Sequence, residues 1–355
     1  MFALIGNYGH SQWSRWSIIA GADGERLTLR EGDSTEHFWN TLRSKGSSQL
    51  LPNWIGFLSY EFGYVIEPNS GTLEEQTWPL ADFVWCEKAL IHDAKTNSWW
   101  SVGGCEVPVI IPESLTTPAW DSLHDKAQEN AFAQDVQKTV NYIHEGDIFQ
   151  ANITRRFSAE VDGDIRTNAL SMLGNPGGWY GAWLEFPEDG RYVLSMSPEL
   201  FIQFSEDTGD IVTRPMKGTR PEQDAPEQLL DSEKDAAELH MIVDLMRNDL
   251  GRVCEFGSIH VEGARTIERH PTVWQCVGEI HGKVKPEYDV EDVLRATFPP
   301  GSVTGAPKIR AMQIIQELEN TPRGPYCGAI GLIGKIAMLN VAIRTALFRG
   351  NGKPN

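Results

Sequence analysis

The sequence predicts an α+β protein whose sheets are mainly antiparallel. Strand-like segments occur in neighbouring pairs, such as 191–197 (RYVLSMS) and 199–204 (ELFIQF), instead of alternating strictly with helices. Hydrophobic residues make up 41% and aromatic residues 10% of the 355-residue chain, which is enough to build a sizeable core. At about 100–200 residues per domain, this length allows two or three units, or one large interleaved unit.

A helix is predicted ahead of the central strands. Phe132, Val136, Val140 and Ile143 recur at helical spacing, and Gly146 follows them as a C-terminal cap. The strands that come after this helix are predicted from alternation or β-branched content, at 148–157, 191–197, 199–204 and 273–284.

Two further helices are predicted from their apolar residues. The segment from Ser232 to Leu250 is apolar on nearly every face, so we expect a buried helix that ends at Gly251. Pro307 suits the first turn of a second helix. The apolar positions of that helix are Ile309, Met312, Ile315 and Leu318.

The end of the chain has a strand pattern from Leu339 to Phe348, followed shortly by Asn351-Gly352. Asn-Gly is the strongest short hairpin signal, and a hairpin needs a second strand. Only three residues remain after Gly352. We therefore expect the partner strand to be missing from this chain or to come from elsewhere.

The clearest change of composition lies between Cys105 and Pro118, where three prolines interrupt any helical period. We interpret this segment as a connection between an N-terminal section, residues 1–118, and a longer section, residues 119–355. The N-terminal section holds strand and turn patterns, and the twelve tryptophans of the whole chain predict a strongly aromatic interior.

The chain carries 31 basic and 49 acidic side chains, a net charge of −18. This balance argues against nucleic-acid binding, which needs a basic surface, but a local cationic pocket can still hold a small anion. The five cysteines are scattered without a CxxC pair, so neither a disulfide framework nor a zinc site is indicated. No signal segment and no apolar stretch of about 18 residues is visible, so we expect a cytoplasmic location and no membrane partner.

A Gly-rich turn from Gly301 to Lys308 (GSVTGAPK) leads into the helix predicted at Pro307. Backbone N–H groups at a helix N-terminus can bind an anion. The spacing excludes a nucleotide-binding P-loop, which needs four residues between its glycines and then Lys with Ser or Thr. A carboxylate is therefore the better guest, and a simple helix-capping turn is the alternative.

Two side chains have the chemistry of nucleophilic or acid–base catalysis. Lys217 lies beside a glycine in PMKGTRP (215–221), and a lysine in a partly desolvated pocket loses its proton more easily. Glu199 follows a proline at the start of a strand, where an apolar pocket would raise the pKa of its carboxyl group towards that of a general acid. An exposed turn lysine and a solvated strand-end glutamate are the alternatives.

Asp235 and Glu238 lie three residues apart, on one face of the helix predicted from Ser232. Two carboxylates one turn apart repel each other unless a cation or water lies between them. Their oxygen atoms suit Mg²⁺, which typically takes one or two protein carboxylates. The alternative is a solvated first turn that is favoured by the helix dipole.

Taken together, these segments resemble the chorismate-utilising enzymes, a family that includes anthranilate synthase component I, aminodeoxychorismate synthase component I and the isochorismate and salicylate synthases. The motifs occur in order over about residues 125–349: GDIFQANITRRF, SPELF, PMKGTRP, KDAAELHMIVDLMRNDLGRV, FPPGSVTGAPKIRAM, RGPYCGAIG and VAIRTAL. The resemblance implies a layered α/β/β/α fold with two packed, mainly antiparallel sheets. In that fold, residues 1–118 contribute to the shared core and residues 119–355 form the chorismate-binding catalytic section.

Within the family, the resemblance is greatest to the members that make aminodeoxychorismate. Those members typically carry a lysine in a PIKGT-like motif, where this chain has Lys217, whereas anthranilate synthases usually have alanine there. Asn152 and Thr154 in GDIFQANIT also match the aminodeoxychorismate type. The implied reaction aminates chorismate on the way to p-aminobenzoate and folate, and formation of anthranilate or isochorismate is the alternative within the family.

The resemblance also implies roles for individual residues. Lys217 would attack ring C2 of chorismate as the 4-hydroxyl group leaves, and Glu199 would protonate that group. Glu238, with Asp235 nearby, would hold a Mg²⁺ ion that fixes the ring carboxylate. Ammonia would come from a separate glutamine amidotransferase subunit. The positions that match substrate-binding residues are Thr219, Ser302, Gly305, Tyr326, Gly328 and Arg344.

Two features depart from the family pattern. Gln275 occupies a place where several relatives have a histidine. Family members also continue past this C-terminus with a glycine-rich strand and a Glu-containing helix, which supply substrate contacts and another Mg²⁺ ligand. A second hypothesis of another class is therefore a truncated, non-catalytic protein that binds chorismate or docks an amidotransferase.

Overall fold

The computed structural model describes residues 1–6, 13–45, 49–73, 76–106, 124–125, 129–161, 163–174, 178–270 and 272–350. Within these ranges the chain forms two large sheets with helices on their outer faces, and all the strand pairs in them are antiparallel. The predicted α+β class is confirmed. Most of the predicted connection at 105–118 and all of Asn351-Gly352 lie outside the described residues.

The strands are short, and most have between four and seven residues. In chain order they are β1 (Phe2–Gly6), β2 (Trp16–Ala20), β3 (Arg26–Leu29), β4 (Asn53–Leu58), β5 (Ala81–Cys86), β6 (Ala89–Asp93), β7 (Ser98–Val102), β8 (His124–Asp125), β9 (Gln150–Ala151), β10 (Phe157–Ser158), β11 (Tyr180–Phe186), β12 (Arg191–Ser197), β13 (Leu200–Ser205), β14 (Asp210–Arg214), β15 (Met216–Pro221), β16 (His260–Arg269), β17 (Val273–Lys283), β18 (Gly305–Ala306), β19 (Ala329–Ile333), β20 (Ile336–Val341) and β21 (Thr345–Arg349).

The helices differ more in length than the strands do. In chain order they are α1 (Thr35–Ser44), α2 (Phe62–Ile66), α3 (Glu129–Glu145), α4 (Ile165–Gly174), α5 (Gln228–Asp231), α6 (Glu233–Gly251), α7 (Val290–Thr297) and α8 (Lys308–Leu318), with short 3₁₀ helices at Pro68–Ser70, Pro187–Asp189 and Gly301–Val303. None of the helices in the described ranges is long and apolar enough to cross a membrane.

The two large sheets share strands from both parts of the chain. The seven-stranded sheet has the order β21–β12–β11–β1–β2–β6–β7. The larger sheet has the order β15–β17–β14–β13–β20–β19–β4–β5–β3, and β16 also pairs with β17. The first strands of the chain therefore pair directly with strands that come much later, as β1 does with β11 and β4 does with β19.

Three apolar clusters hold these layers together. Phe2 and Ile18 of the seven-stranded sheet pack against Phe57 and Ile330 of the larger sheet, so this cluster lies between the sheets. On the far side of the larger sheet, residues of α1, α6, α7 and α8 form the largest cluster. On the far side of the other sheet, α4 packs around Trp183. This order of layers is the α/β/β/α arrangement that the sequence resemblance implied.

The predicted helices are confirmed, with one difference in burial. Helix α6 has Ser232 as its N-cap, whose Oγ accepts a hydrogen bond from the N–H of Asp235 at 3.2 Å, and it extends to Gly251 as predicted. However, only one side of α6 is buried, because Asp244 and Arg247 form an exposed ion pair on the other side. Helices α3 and α8 occupy the predicted segments.

Two strand predictions were wrong in extent. Most of 148–157 is not in a strand, because its backbone bonds to loops instead: the N–H of Asn152 donates to the carbonyl of Thr304 at 2.9 Å. The pattern from Leu339 to Phe348 is two strands in different sheets, β20 and β21. The chain turns between them at Arg344, whose φ is 51°, so one alternating pattern serves both sheets.

Candidate active site

The chain crosses between the two large sheets at two neighbouring points. One crossing joins β12 to β13 through Glu199, and the other joins β20 to β21 through Arg344. Hydrogen bonds tie the crossings together. Ser197 Oγ donates to the carbonyl of Val341 at 2.6 Å, and the N–H of Val341 donates to the carbonyl of Glu199 at 3.0 Å. The position of Glu199 is therefore fixed by backbone bonds to both crossings.

Glu199 is buried, with a relative exposure of 3%. Burial raises the pKa of its carboxyl group to about 7, while the Ser302 hydroxyl and the positive charge of Lys217 oppose this rise. These interactions show that three residues far apart in the sequence lie close together. A carboxyl group with this pKa can hold or give up a proton near neutral pH, which is what a general acid requires.

Lys217 extends from β15 towards the 3₁₀ turn at Gly301–Val303. Its Nζ atom donates a hydrogen bond to the carbonyl of Ser302 at 3.1 Å. The pairing of β15 with β17 shifts register between Met216 and Thr219, and Gly218 between them has a φ of 86°. Such an irregularity redirects side chains out of a regular strand. The structure thus places Lys217 in a partly buried position beside Glu199.

Gly218 is predicted to be essential to this geometry. A Cβ atom at this position would lie 3.1 Å from side-chain atoms of Asp235 and Leu229, in a left-handed backbone conformation. We expect Gly218→Ala to lower the free energy of unfolding by about 2–3 kcal/mol. Gly146→Ala is the matched control, because Gly146 has almost the same φ, 85°, and a Cβ atom added there would have no other atom within 4 Å.

The control variant carries the backbone strain alone, so we expect it to lose only about 1 kcal/mol. Urea unfolding followed by circular dichroism measures both values. Equal losses in the two variants would show that crowding at Gly218 contributes nothing.

The Gly-rich segment forms a short strand immediately before helix α8. Gly305–Ala306 pairs as β18 with β9, and a Cβ atom at Gly305 would lie 2.2 Å from the Gln150 carbonyl oxygen. Lys308 is also engaged, since its Nζ donates to Asp249 Oδ2 at 2.6 Å. Ser302, which is 8% exposed, is the residue of this segment whose carbonyl accepts the hydrogen bond from Lys217.

A buried arginine that the sequence analysis missed supports this segment from behind. Arg323 Nη1 donates to the carbonyl of Val303 at 2.9 Å, and Asn152 Nδ2 reaches the same oxygen at 3.3 Å. Arg323 also bonds both carboxylate oxygens of Glu319, and the N–H of Thr154 donates to this carboxylate at 2.7 Å. Asn152 and Thr154 thus position the backbone beside Ser302. Asn152 and Thr154 are far from Arg323 in the sequence, so no sequence pattern predicts this hydrogen-bond network.

The remaining predicted substrate residues lie at different depths. Tyr326 is partly buried against the main core, and burial raises the pKa of its hydroxyl group. Gly328 is buried, and a Cβ atom added there would lie 2.0 Å from the carbonyl oxygen of Leu58, so only glycine allows this close approach of the two backbones. Thr219 and Arg344 are exposed. Among the described residues, the Arg344 guanidinium has no hydrogen-bond or ion-pair partner.

Gln275 of β17 is paired with Thr219 of β15 on one side and with Glu268 of β16 on the other. Its side chain is 4% exposed, and within the described ranges its Oε1 atom has no hydrogen-bond partner. An unpaired buried amide oxygen costs free energy, so this position is unusual for a purely structural glutamine.

The sequence profile of the chorismate binding enzymes matches residues 8–353. The chain belongs to this family. It is 31% identical to aminodeoxychorismate synthase component 1 of Bacillus subtilis over 367 residues, which cover 92% of this chain and 77% of that protein. It is 43% identical to an anthranilate synthase component 1 of Haloarcula marismortui over 226 residues, which cover 61% of this chain and 45% of that protein.

A solved structure agrees with this family membership. Anthranilate synthase component I from Streptococcus pneumoniae superimposes with a TM-score of 0.81 and 27% identity, over 94% of this chain and 84% of that one. The two-sheet architecture is therefore that of a known chorismate-utilising enzyme. With the Haloarcula marismortui protein, the match spans less than half of the relative's length.

In this member of the family, Asp235 and Glu238 have different surroundings. Asp235 Oδ2 accepts a hydrogen bond from Arg220 at 2.8 Å, so its charge is already neutralised. Glu238 is one-third exposed, and its nearest cation is Lys234 at 3.9 Å. In the ranges described, no third His, Cys, Asp or Glu completes a cluster with this pair. Of the two carboxylates, Glu238 is therefore the one less engaged by a cation, and its oxygen atoms have the chemistry of a Mg²⁺ ligand.

Proposed function

We propose that the protein is an aminodeoxychorismate synthase component I, which converts chorismate and ammonia to 4-amino-4-deoxychorismate. The observation that carries this proposal is the proximity of Lys217 and Glu199. The Lys217 amine donates to the Ser302 carbonyl, and Ser302 and Lys217 both act on the pKa of the buried Glu199. A nucleophilic amine and a carboxyl group with a pKa near 7 are the two groups that a displacement of a ring hydroxyl requires.

In the first half of the reaction, neutral Lys217 forms a bond from Nζ to ring C2. Both ring double bonds shift, from C1=C2 to C1=C6 and from C5=C6 to C4=C5, and the C4–O bond breaks as Glu199 gives its proton to the departing hydroxyl group. Water leaves, Glu199 becomes a carboxylate, and the lysine nitrogen carries a positive charge. A hydroxide ion is a poor leaving group, so protonation by a carboxyl group at this position lowers the barrier.

In the second half, ammonia forms a bond to C4, both ring double bonds shift back to C1=C2 and C5=C6, and the C2–N bond to Lys217 breaks, which returns the lysine as a neutral amine. The new ammonium group at C4 passes one proton to the Glu199 carboxylate. Both residues are then in their starting forms. The net change is replacement of the 4-hydroxyl group by an amino group with release of water, and one difficult displacement has become two easier ones.

The substrate carboxylates need cationic partners. Arg344, exposed beside the sheet crossing, is proposed to bind one of them through its guanidinium. Glu238 is proposed to hold Mg²⁺, with Asp235 nearby, and the ion when bound would neutralise and orient the ring carboxylate. Thr219, Tyr326 and the backbone at Ser302, Gly305 and Gly328 are proposed to line the same site.

Two further parts of the proposal concern the setting of the reaction. Ammonia is proposed to come from a separate glutamine amidotransferase subunit, as the name "component 1" of the Bacillus subtilis relative implies for that protein. The location is proposed to be the cytoplasm, where thiols stay reduced. All five cysteines of the chain are unpaired, which agrees with a reducing compartment.

The decisive experiment identifies the product. Purified protein is incubated with chorismate, Mg²⁺ and a high concentration of ammonium near pH 7, and the products are separated by chromatography and identified by mass spectrometry. We expect 4-amino-4-deoxychorismate, which an added lyase converts to p-aminobenzoate.

Formation of anthranilate instead would assign the second candidate function, which the 43% identity to an anthranilate synthase component 1 favours. Isochorismate would assign ammonia-independent chemistry within the same family. If chorismate binds without turnover, even with added amidotransferase, the protein is a non-catalytic binding or docking protein.

A further inference from the structure

We propose that the hairpin of β16 and β17 carries a binding site for a first-row transition-metal dication, formed by Glu262, Glu279 and His281. One ligand atom from each residue lies within 4.8 Å of the other two. None of the three belongs to the proposed substrate site. The inference therefore stands whether or not the proposed reaction is correct.

The distances in this cluster suit a shared metal ion. His281 Nε2 lies 3.0 Å from Glu262 Oε2 and 2.8 Å from Glu279 Oε1. A single ring N–H can point along only one of these contacts, which leaves the other carboxylate without a hydrogen. In the tetrahedral geometry that Zn²⁺ prefers, two ligands about 2.1 Å from the ion are about 3.4 Å apart, so each contact would lengthen by about half an ångström on metal binding. A dication can therefore bind all three atoms with little rearrangement of the hairpin.

The strand register explains how the ligands meet. Glu279 and His281 are two residues apart on β17, so their side chains project from the same face. On β16, His260 faces His281 and Gly263 faces Glu279, and the register shifts between Val261 and Gly263. Glu262 lies within this irregularity. A bulge redirects a side chain in this way, and here it directs Glu262 towards the two ligands of β17.

Neighbouring groups orient the ligands. Arg214, only 2% exposed, donates from Nε to Glu279 Oε2 at 3.0 Å, which leaves Oε1 for the cluster. The His260 ring stacks on the His281 ring at 5.3 Å with an interplanar angle of 15°. Such outer contacts hold metal ligands in place. Arg214 also bonds Glu268, so its single positive charge is shared and the cluster retains excess negative charge.

The ligand types indicate which ion binds. One imidazole with two carboxylates suits Zn²⁺, Co²⁺ or Mn²⁺ better than Mg²⁺ or Ca²⁺, which prefer oxygen ligands alone. Glu262 is 67% exposed, so water can reach the remaining coordination positions. We expect Zn²⁺ to bind here while Mg²⁺ does not, which separates this site from the one proposed at Glu238.

Calorimetric titration of the full chain with Zn²⁺, in buffer containing excess Mg²⁺, tests the proposal. Cys105 is the only one of the five cysteines that is not buried, and it is replaced by serine in every sample so that thiol binding does not contribute. We expect His281→Ala and Glu262→Gln each to weaken Zn²⁺ binding at least about tenfold. His240→Ala, an exposed histidine of α6 outside the cluster, is the matched control and should bind Zn²⁺ normally.

A second measurement keeps the test independent of folding defects. Zn²⁺ should raise the melting temperature of the protein with the intact cluster and of the His240→Ala control. An ion that binds only the folded state stabilises that state. Glu262→Gln changes an exposed side chain, so its fold should be intact and the rise should be lost. Equal Zn²⁺ affinity in all four proteins, or no saturable binding to any of them, would overturn the proposal.

Discussion

Replacement of Lys217 by alanine is expected to reduce chorismate amination at least about a thousandfold. The amine is the proposed nucleophile, and the Ser302 carbonyl that it contacts cannot replace it. The variant should remain folded, because the side chain is only partly buried and contributes one hydrogen bond. Product formation from chorismate and ammonium, with circular dichroism on the same sample, measures both effects.

Lys335→Ala provides the matched control, because Lys335 is an exposed lysine in a turn between β19 and β20. We expect full activity in that variant. Lys217→Arg tests the chemistry further, since arginine keeps the charge but cannot act as a neutral amine, and it should be as inactive as the alanine variant. Amination at a normal rate by Lys217→Ala would show that another group attacks the ring.

The parts of the fold with a clear period could be predicted from the sequence. Helix α6 follows from the many apolar residues between Ser232 and Leu250, and β12, β13 and β17 follow from alternating or β-branched residues. What the sequence does not contain is where a strand changes partners. Arg344 takes a left-handed conformation and divides one alternating segment between two sheets, a conformation that arginine rarely adopts and that no local pattern announces.

For the candidate site too, the local motifs could be predicted from the sequence but their arrangement in space could not. Lys217, Glu199 and the Gly-rich segment were found through motifs, but nothing in their spacing indicates that they meet. They meet because the β12–β13 crossing and the bulged β15 both face the 3₁₀ turn that carries Ser302. Arg323 was missed for a related reason. Glu319 is a local partner four residues away, but the carbonyls of Val303 and Asn152 come from other segments of the chain, so the supporting role of Arg323 exists only in the folded protein.

Glu199→Gln is expected to lower the amination rate by about 10²–10⁴-fold, the usual contribution of a general acid. Glutamine has nearly the same shape, so the buried packing should survive while the transferable proton is lost. The unaltered protein should in addition lose activity as the pH rises above about 7, because Glu199 must be protonated at the start of the reaction and burial raises its pKa to about 7. Initial rates at several pH values, with saturating ammonia, measure both effects.

The same substitution should stabilise the protein in alkali, as expected for a buried glutamate whose pKa is raised in the folded state. The folded-state pKa is raised, so the folded protein binds this proton more tightly than the unfolded chain does. The stabilising effect of this bound proton is complete at pH values below 4.5, the ordinary pKa of the group. The effect is lost as the pH rises through about 7. The loss is on the order of 3 kcal/mol, and Glu199→Gln avoids it because glutamine has no proton to lose.

Urea unfolding at pH 5 and pH 8 measures this difference, with Glu287→Gln, an exposed glutamate, as the control. The gain in stability of Glu199→Gln over the unaltered protein should be larger at pH 8 than at pH 5, and the control should show no such change. If Glu199→Gln is inactive but its gain in stability over the unaltered protein is the same at pH 5 and pH 8, the pKa of Glu199 is not raised and its carboxylate is ionised in the folded protein at neutral pH. Such a carboxylate has no proton to give, so the acid that protonates the 4-hydroxyl group would have to be another residue.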